Sequence, residues 1–143
     1  MRGNNFLSKI LKIAEERDSL SVVNDQIGAP TWSRMVAEAT AQIISEINCH
    51  SNLKPFFEEI SGIYHLTAEG RTSWFGFAEA ILAKRKGLAA VPRLVPISTN
   101  KHVSPAIRPL NSLLSNAKLY SRFNIRLPVW TTGLELCMNE ANY

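Results

Sequence analysis

The chain has 143 residues, 45% of them hydrophobic and 20% charged, with a formal charge of +4, the balance of a globular domain with enough material for one core. No apolar run approaches the roughly 20 residues that span a bilayer, no charged-then-apolar leader pattern is present, and the basic residues are scattered without zinc spacing or an RNA-binding aromatic motif, so neither a membrane nor a nucleic acid is expected as partner. Cys49 and Cys137 form no CxxC pair and read as reduced thiols of a cytoplasmic protein.

Residues 6–17 predict a helix with Phe6, Ile10, Ile13 and Ala14 on one face and Asn4 or Asn5 as cap. Residues 20–24 predict a short strand. The next helix, residues 32–47, is the clearest: Trp32, Met35, Val36, Ala39, Ile43 and Ile47 recur at helical spacing. Thr31 is its expected N-cap, and Pro30 holds Ala29 extended. Residues 48–61 are polar and include Pro55, which predicts a loop with at most a helical turn. Gly62 opens an alternating stretch, residues 63–67, read as a strand in which His65 is a structural or partly exposed residue. Ser73 is expected to cap a helix running to Lys86 that buries Trp74, Phe77, Ala78 and Ile81, with Gly87 ending it. The cations of Lys84, Arg85 and Lys86 suit the end of that helix. Residues 94–98 predict an edge strand interrupted by Pro96, followed by a proline-bearing loop over residues 100–111. Residues 112–120 and 130–142 predict two closing helices, the last with Trp130, Leu134, Cys137 and Met138 inward. The fold class expected is α/β: one mixed α+β lobe over residues 1–143, helix-rich with a few short strands, laid against a larger domain.

Much familiar chemistry is absent from the residues. No three glycines have the spacing of a dinucleotide-binding turn. A short-chain reductase needs a tyrosine with a lysine four residues on, the cation lowering the phenol pKa. Here Tyr64 is followed at that distance by Ala68 and Tyr120 by Asn124. His50, His65 and His102 lack metal-ligand spacing, and no residues demand a metal. Anion binding is better supported. The stretch NDQIGAPTW, Asn24 to Trp32, is a strand-to-helix junction able to aim N–H groups and a helix dipole at a phosphate. Arg108 lies in SPAIRPLNS between two prolines, where a stiff loop can present a bidentate guanidinium. Ordinary capping by Thr31 and a solvated loop arginine are the plain alternatives.

Six segments in order, GNNF, AEERDSL, VVNDQIGAPTW, GIYHLTAEGRTSWFGFAEAI, PAIRPLNSLL and LPVWTTGLELCM, cover nearly the whole chain and resemble dTDP-4-dehydrorhamnose reductase, an extended short-chain dehydrogenase/reductase. The resemblance is to the part of that family after its catalytic tyrosine-lysine region, with the Rossmann core missing. It implies NADPH as the cofactor of the parent enzyme, held outside this chain. It implies a dTDP-sugar as ligand, the missing Rossmann domain or another subunit as partner, and self-association as a further expectation. Some members are reported to use Mg²⁺. The site residues it implies are Asn4 and Asn5 near the substrate; Gln26, Gly28, Ala29, Pro30 and Thr31 in the DQxGxPT turn; and Arg108, Asn111 and Ser112 in the A-x-RP-x-x-S motif, with Arg108 on the diphosphate. No catalytic residue is implied. Ile107, His102, Val103, Leu113 and Ser115 depart from the family's usual pattern. The readings that follow are a carboxy-terminal fragment, silent alone; a non-catalytic interaction or regulatory module; and a related lobe for another nucleotide sugar.

Overall fold

A computed structural model describes residues 5–85, 91–102 and 106–141. The first helix, α1 (Phe6–Glu16), is capped by Asn5: its side chain accepts the Ser8 N–H at 3.0 Å while the Ser8 hydroxyl returns to the Asn5 backbone, a capping box. Asn4 lies outside the described residues. Strand β1 (Ser19–Val23) follows, then β2 (Ile27–Gly28) and α2 (Ser33–Asn48). After α3 (Leu53–Ile60) come β3 (Thr72–Ser73), α4 (Trp74–Lys84), β4 (Arg93–Ile97), a single 3-10 turn (Thr99–Lys101), α5 (Ala117–Phe123) and α6 (Trp130–Glu140). β1 and β4 pair in parallel, Ser19 opposite Arg93 through Val23 opposite Ile97. β2 and β3 pair antiparallel, Ile27 opposite Ser73 and Gly28 opposite Thr72. Pro96 sits in a two-stranded sheet, where an edge position tolerates its missing N–H.

The apolar residues segregate into two clusters. One unites α1, β1, α4 and α6 through Leu7, Ile10, Leu11, Leu20, Ile81, Leu82, Leu134 and Met138, with Ala78 and Ile81 fully buried. The other joins α2 and α5 through Met35, Ala39, Leu119 and Phe123, with Ile60, Ile125 and Leu127. Residues 24–32 run from β1, in the first cluster, to α2, in the second. Any site built on that segment is therefore held at both ends by a packed cluster.

Four expectations are corrected. Residues 48–61 contain a true helix, α3, because Pro55 falls in its first turn, where a missing N–H leaves no bond broken. Residues 63–67 form no strand, and His65 is exposed among them. Side chains replace the missing neighbour. Asn116 accepts the Thr67 N–H at 3.2 Å and donates to the Thr67 carbonyl at 2.7 Å, while Thr31 Oγ1 accepts the Ala68 N–H at 3.0 Å. Thr31 is thus not the cap of α2: the N-cap is Trp32, with no side-chain bond, and the Thr31 hydroxyl donates to the Ala29 carbonyl. The helix expected at residue 112 begins only at Ala117, because residues 110–112 are drawn onto β2.

Other expectations hold. Ser73 caps α4 by accepting the Gly76 N–H. That helix ends at Lys84, and Lys84 and Arg85 pair with Glu135 at 3.2 Å and Glu15 at 3.3 Å. Lys86 and Gly87 lie outside the described residues. Of the residues expected to be buried by α4, Ala78 and Ile81 are, whereas Trp74 and Phe77 are half-buried against the first cluster, as Trp32 is against the second. Gly70 has φ +83°, and a Cβ there would meet the Trp130 ring at 3.1 Å, so glycine suits the position beside the bridge of Glu69 and Val129.

Removing the Asn116 amide leaves the Thr67 peptide group without partners in a half-buried segment. Asn116→Ala is expected to lower stability by about 1–3 kcal/mol in urea denaturation, with no change in helical content by circular dichroism.

Candidate functional site

The site grows from the backbone of Ile27. Its N–H donates to the Leu110 carbonyl at 2.7 Å, and its carbonyl accepts the Ser112 N–H at 2.9 Å and the Ser112 hydroxyl at 3.1 Å. β2 meanwhile pairs with β3. Three segments far apart in sequence therefore meet side by side. The approach is close: a Cβ on Gly28 would lie 2.8 Å from Ser112 Oγ. Between them lies a cavity of about 250 Å³ lined by residues 26–30, residues 72–74, Phe77, Arg108, Pro109 and Ser112.

The electrostatics of this cavity favour an anion. Arg108 is exposed at its rim, and among the described residues no carboxylate pairs with it. The head of α4 borders the same space, with Ser73 donating to Asn24 Oδ1 at 2.7 Å while it caps the helix, so the positive end of a helix dipole and Arg108 line one cavity. The junction contributes its turn rather than its helix: Ser33, at the head of α2, lines a different cavity.

Gln26 is buried, at 8% exposure, and both ends of its amide are engaged. Its Oε1 accepts the Trp74 indole N–H at 3.2 Å and its Nε2 donates to Thr99 Oγ1 at 3.1 Å. Thr99 in turn donates its N–H to Asp25 at 2.9 Å and its hydroxyl to Asp25 Oδ1 at 2.6 Å. These bonds, the hydroxyl first, hold the Asp25 carboxyl below the usual carboxylate range.

Of the sequence-derived residues, the structure brings Gln26, Gly28, Ala29, Pro30, Arg108 and Ser112 together on this cavity. Asn5 and Thr31 line the second cavity instead. Asn111 is a structural residue that faces Ile27 in an isolated bridge and accepts the Leu113 N–H at 3.0 Å. Sequence reasoning did not place Ile27, Thr72, Ser73, Trp74, Phe77 or Pro109 at this cavity. The signal for Trp74 was its place one residue after a helix cap, which puts a side chain at the helix mouth as readily as in the core.

The second cavity, about 640 Å³, is lined by Phe6, Trp32, Trp74, Phe77 and Trp130 together with Cys137. It shares Pro30, Trp74 and Phe77 with the first. Burial, reinforced by Glu140, pushes the Cys137 thiol up. Among the described residues no cluster of three His, Cys, Asp or Glu could hold a metal ion, and no helix is long and apolar enough to cross a membrane.

Comparison with known proteins decides the family. The profile of the RmlD substrate binding domain matches residues 1–143. The chain belongs to the RmlD substrate binding domain family. The dTDP-4-dehydrorhamnose reductase of Burkholderia thailandensis is 43% identical over 144 residues, covering 97% of this chain and 47% of that protein. Among solved structures, the Clostridium acetobutylicum dTDP-4-dehydrorhamnose reductase superposes with a TM-score of 0.80 at 27% identity, covering 99% of this chain and 45% of that one. The Bacillus anthracis enzyme, solved in complex with NADP, gives 0.73 at 31% identity, covering 98% and 44%. The chain thus spans less than half the length of these relatives and corresponds to their carboxy-terminal part. The helix-rich α/β lobe with few short strands is the architecture of the RmlD substrate binding domain.

Two outcomes follow. Because the folded-state pKa of Asp25 is depressed, its contribution is present above the unfolded-state value and is lost as pH falls through the folded one. Stability measured by thermal melting is expected to fall on acidification below about pH 4, and Asp25→Asn should flatten that part of the profile. Gly28→Ala forces Ser112 off the Ile27 carbonyl and should cost about 1–3 kcal/mol. The double variant Gly28→Ala/Ser112→Ala should recover part of the loss in the same denaturation assay.

Proposed function

We propose that this chain is the nucleotide-sugar-binding part of a dTDP-4-dehydrorhamnose reductase. The whole enzyme reduces dTDP-4-dehydro-6-deoxy-L-mannose to dTDP-L-rhamnose with NADPH in the cytoplasm, in the synthesis of polysaccharide precursors. The observation that carries this reading is the convergence of Arg108, the head of α4 and the turn of residues 26–30 on one cavity. Relatives that share this region are dTDP-4-dehydrorhamnose reductases, and the Bacillus anthracis one was solved with NADP, which supports the assignment.

In this reading Arg108 makes a bidentate contact with the diphosphate. The α4 dipole adds attraction for its charge. Gly28 lets the 110–112 loop lie close enough to bring Arg108 over the turn. Anchoring the diphosphate fixes where the ketone sits relative to the hydride donor. NADPH supplies the hydride. This chain has neither the glycine-rich turn for a dinucleotide nor a tyrosine-lysine pair, so its own residues bind and orient. The natural partner is the Rossmann part of the enzyme, and alone the chain is catalytically silent. Reduction of the ketosugar with NADPH by these 143 residues alone would disprove that.

A second reading, an interaction or regulatory module, rests on exposed apolar side chains beside the site, Ile107, Leu110 and Leu114. It expects concentration-dependent association in sedimentation, and a monomer at high concentration counts against it.

The binding reading is tested by titrating dTDP into the chain and following amide shifts. Shifts are expected at Gly28 and Arg108. Arg108→Ala should weaken binding by about ten- to a hundredfold, the worth of a hydrogen bond to a charged group. Arg108→Lys should recover only part, since a point charge replaces the planar fork.

A further inference from the structure

The first cavity is too small for a nucleotide sugar. Its volume of about 250 Å³ falls below the roughly 300–1,000 Å³ of small-molecule sites. A diphosphate fits, but a ring attached to it must leave the space. The adjoining cavity is about 640 Å³ and meets the first across Pro30, Trp74 and Phe77. Trp74 and Phe77 are therefore the rings that any such ligand passes. Phe77 is engaged by two others, stacked on Phe6 at 5.5 Å and edge-on to Trp130 at 5.9 Å. Among the described residues Trp74 meets only Phe6, at 4.7 Å.

Trp74 is also the ring whose orientation is fixed by hydrogen bonding, and the chemistry of the chain leaves one arrangement. Its indole is a donor only. At the other end, Thr99 has given its single hydroxyl proton to the Asp25 carboxylate at 2.6 Å, so Thr99 Oγ1 can only accept from Gln26. The Gln26 amide must then present Nε2 to Thr99 and Oε1 to Trp74, as observed at 3.1 and 3.2 Å. A buried glutamine satisfied at both ends has no freedom to turn, and the indole it holds stands at the boundary between the cavities.

We infer that Trp74 contacts the ligand, with a ring carried by the bound diphosphate, thymine or hexose, lying against its indole, and that Gln26 is the positioning residue that holds it there. This rests on the diphosphate reading above. Neither residue needs a charge for the role: thymine would stack on the indole face, and a hexose would lay its C–H groups on it.

The test follows the Trp74 indole N–H resonance, assigned with Trp74→Phe, alongside the Gly28 and Arg108 amides. Three probes are titrated: inorganic pyrophosphate, dTDP and dTDP-glucose. Pyrophosphate is expected to shift the amides and leave the indole unmoved. If dTDP moves the indole, the ring is thymine; if only dTDP-glucose does, it is the hexose. Gln26→Leu should weaken the ring-bearing probes by about tenfold more than it weakens pyrophosphate, as loss of a stacking platform does. Equal weakening of all three probes would make Gln26 merely structural and overturn the inference. If Gln26→Leu fails to fold, Thr99→Val, which cuts the chain one link away, is read the same way. Amide shifts with a silent indole overturn this inference and leave the diphosphate reading standing. No shift with any probe overturns both.

Discussion

The peptide group of Ile27 is the constraint on which the site depends. Its N–H and carbonyl are both taken by the loop of residues 110–112, while the same short strand pairs with β3 on its other side. Neither contact is large. Together they bring Arg108, the helix head at Ser73 and the turn at Gly28 into one wall, although these lie tens of residues apart in the chain. A half-buried backbone group left unpaired costs free energy comparable to a lost hydrogen bond, so the loop is held on β2 by the need to satisfy Ile27 as much as by any attraction of its own. The absence of a side chain at Gly28 is what allows that approach.

Rigidity comes from either side of this junction. β1 belongs to the cluster of α1, α4 and α6, and α2 to the cluster with α5. A turn suspended between two packed clusters keeps its geometry without regular structure of its own. The polar chain from Asp25 through Thr99 and Gln26 to Trp74 adds a second tie. It joins the turn to the end of β4 and to the head of α4. The carboxylate at one end sets the direction of every hydrogen bond up to the indole.

Thr31 and Asn116 play a comparable part on the other flank. Each substitutes a side chain for a missing strand neighbour along residues 67–68. Side-chain pairing of this kind fixes one short segment without demanding a continuous ladder, which suits a lobe whose sheets, among the described residues, have two strands each.

Local information determined much of this protein. Helical periodicity located α1, α2, α4 and α6. Asn5 and Ser73 were legible as caps because capping needs only a side chain and an N–H three residues on. The motif residues Gly28 and Arg108 were legible as candidates, and their segment order carried the family. What local information could not decide was partnership. An alternating stretch at residues 63–67 becomes a strand only if another strand lies beside it, and among the described residues none does. Residues 112–116 have the composition to begin a helix, but Ser112 is held by β2 and the helix begins only at Ala117. Thr31 sits where a cap would sit, yet its hydroxyl serves Ala68. Trp74 has the pattern of a core residue, and only the tertiary structure puts it where two cavities meet. In each case the competing choices are close in local energy, and the decision falls to a hydrogen-bond partner or a void supplied by residues far away in the chain.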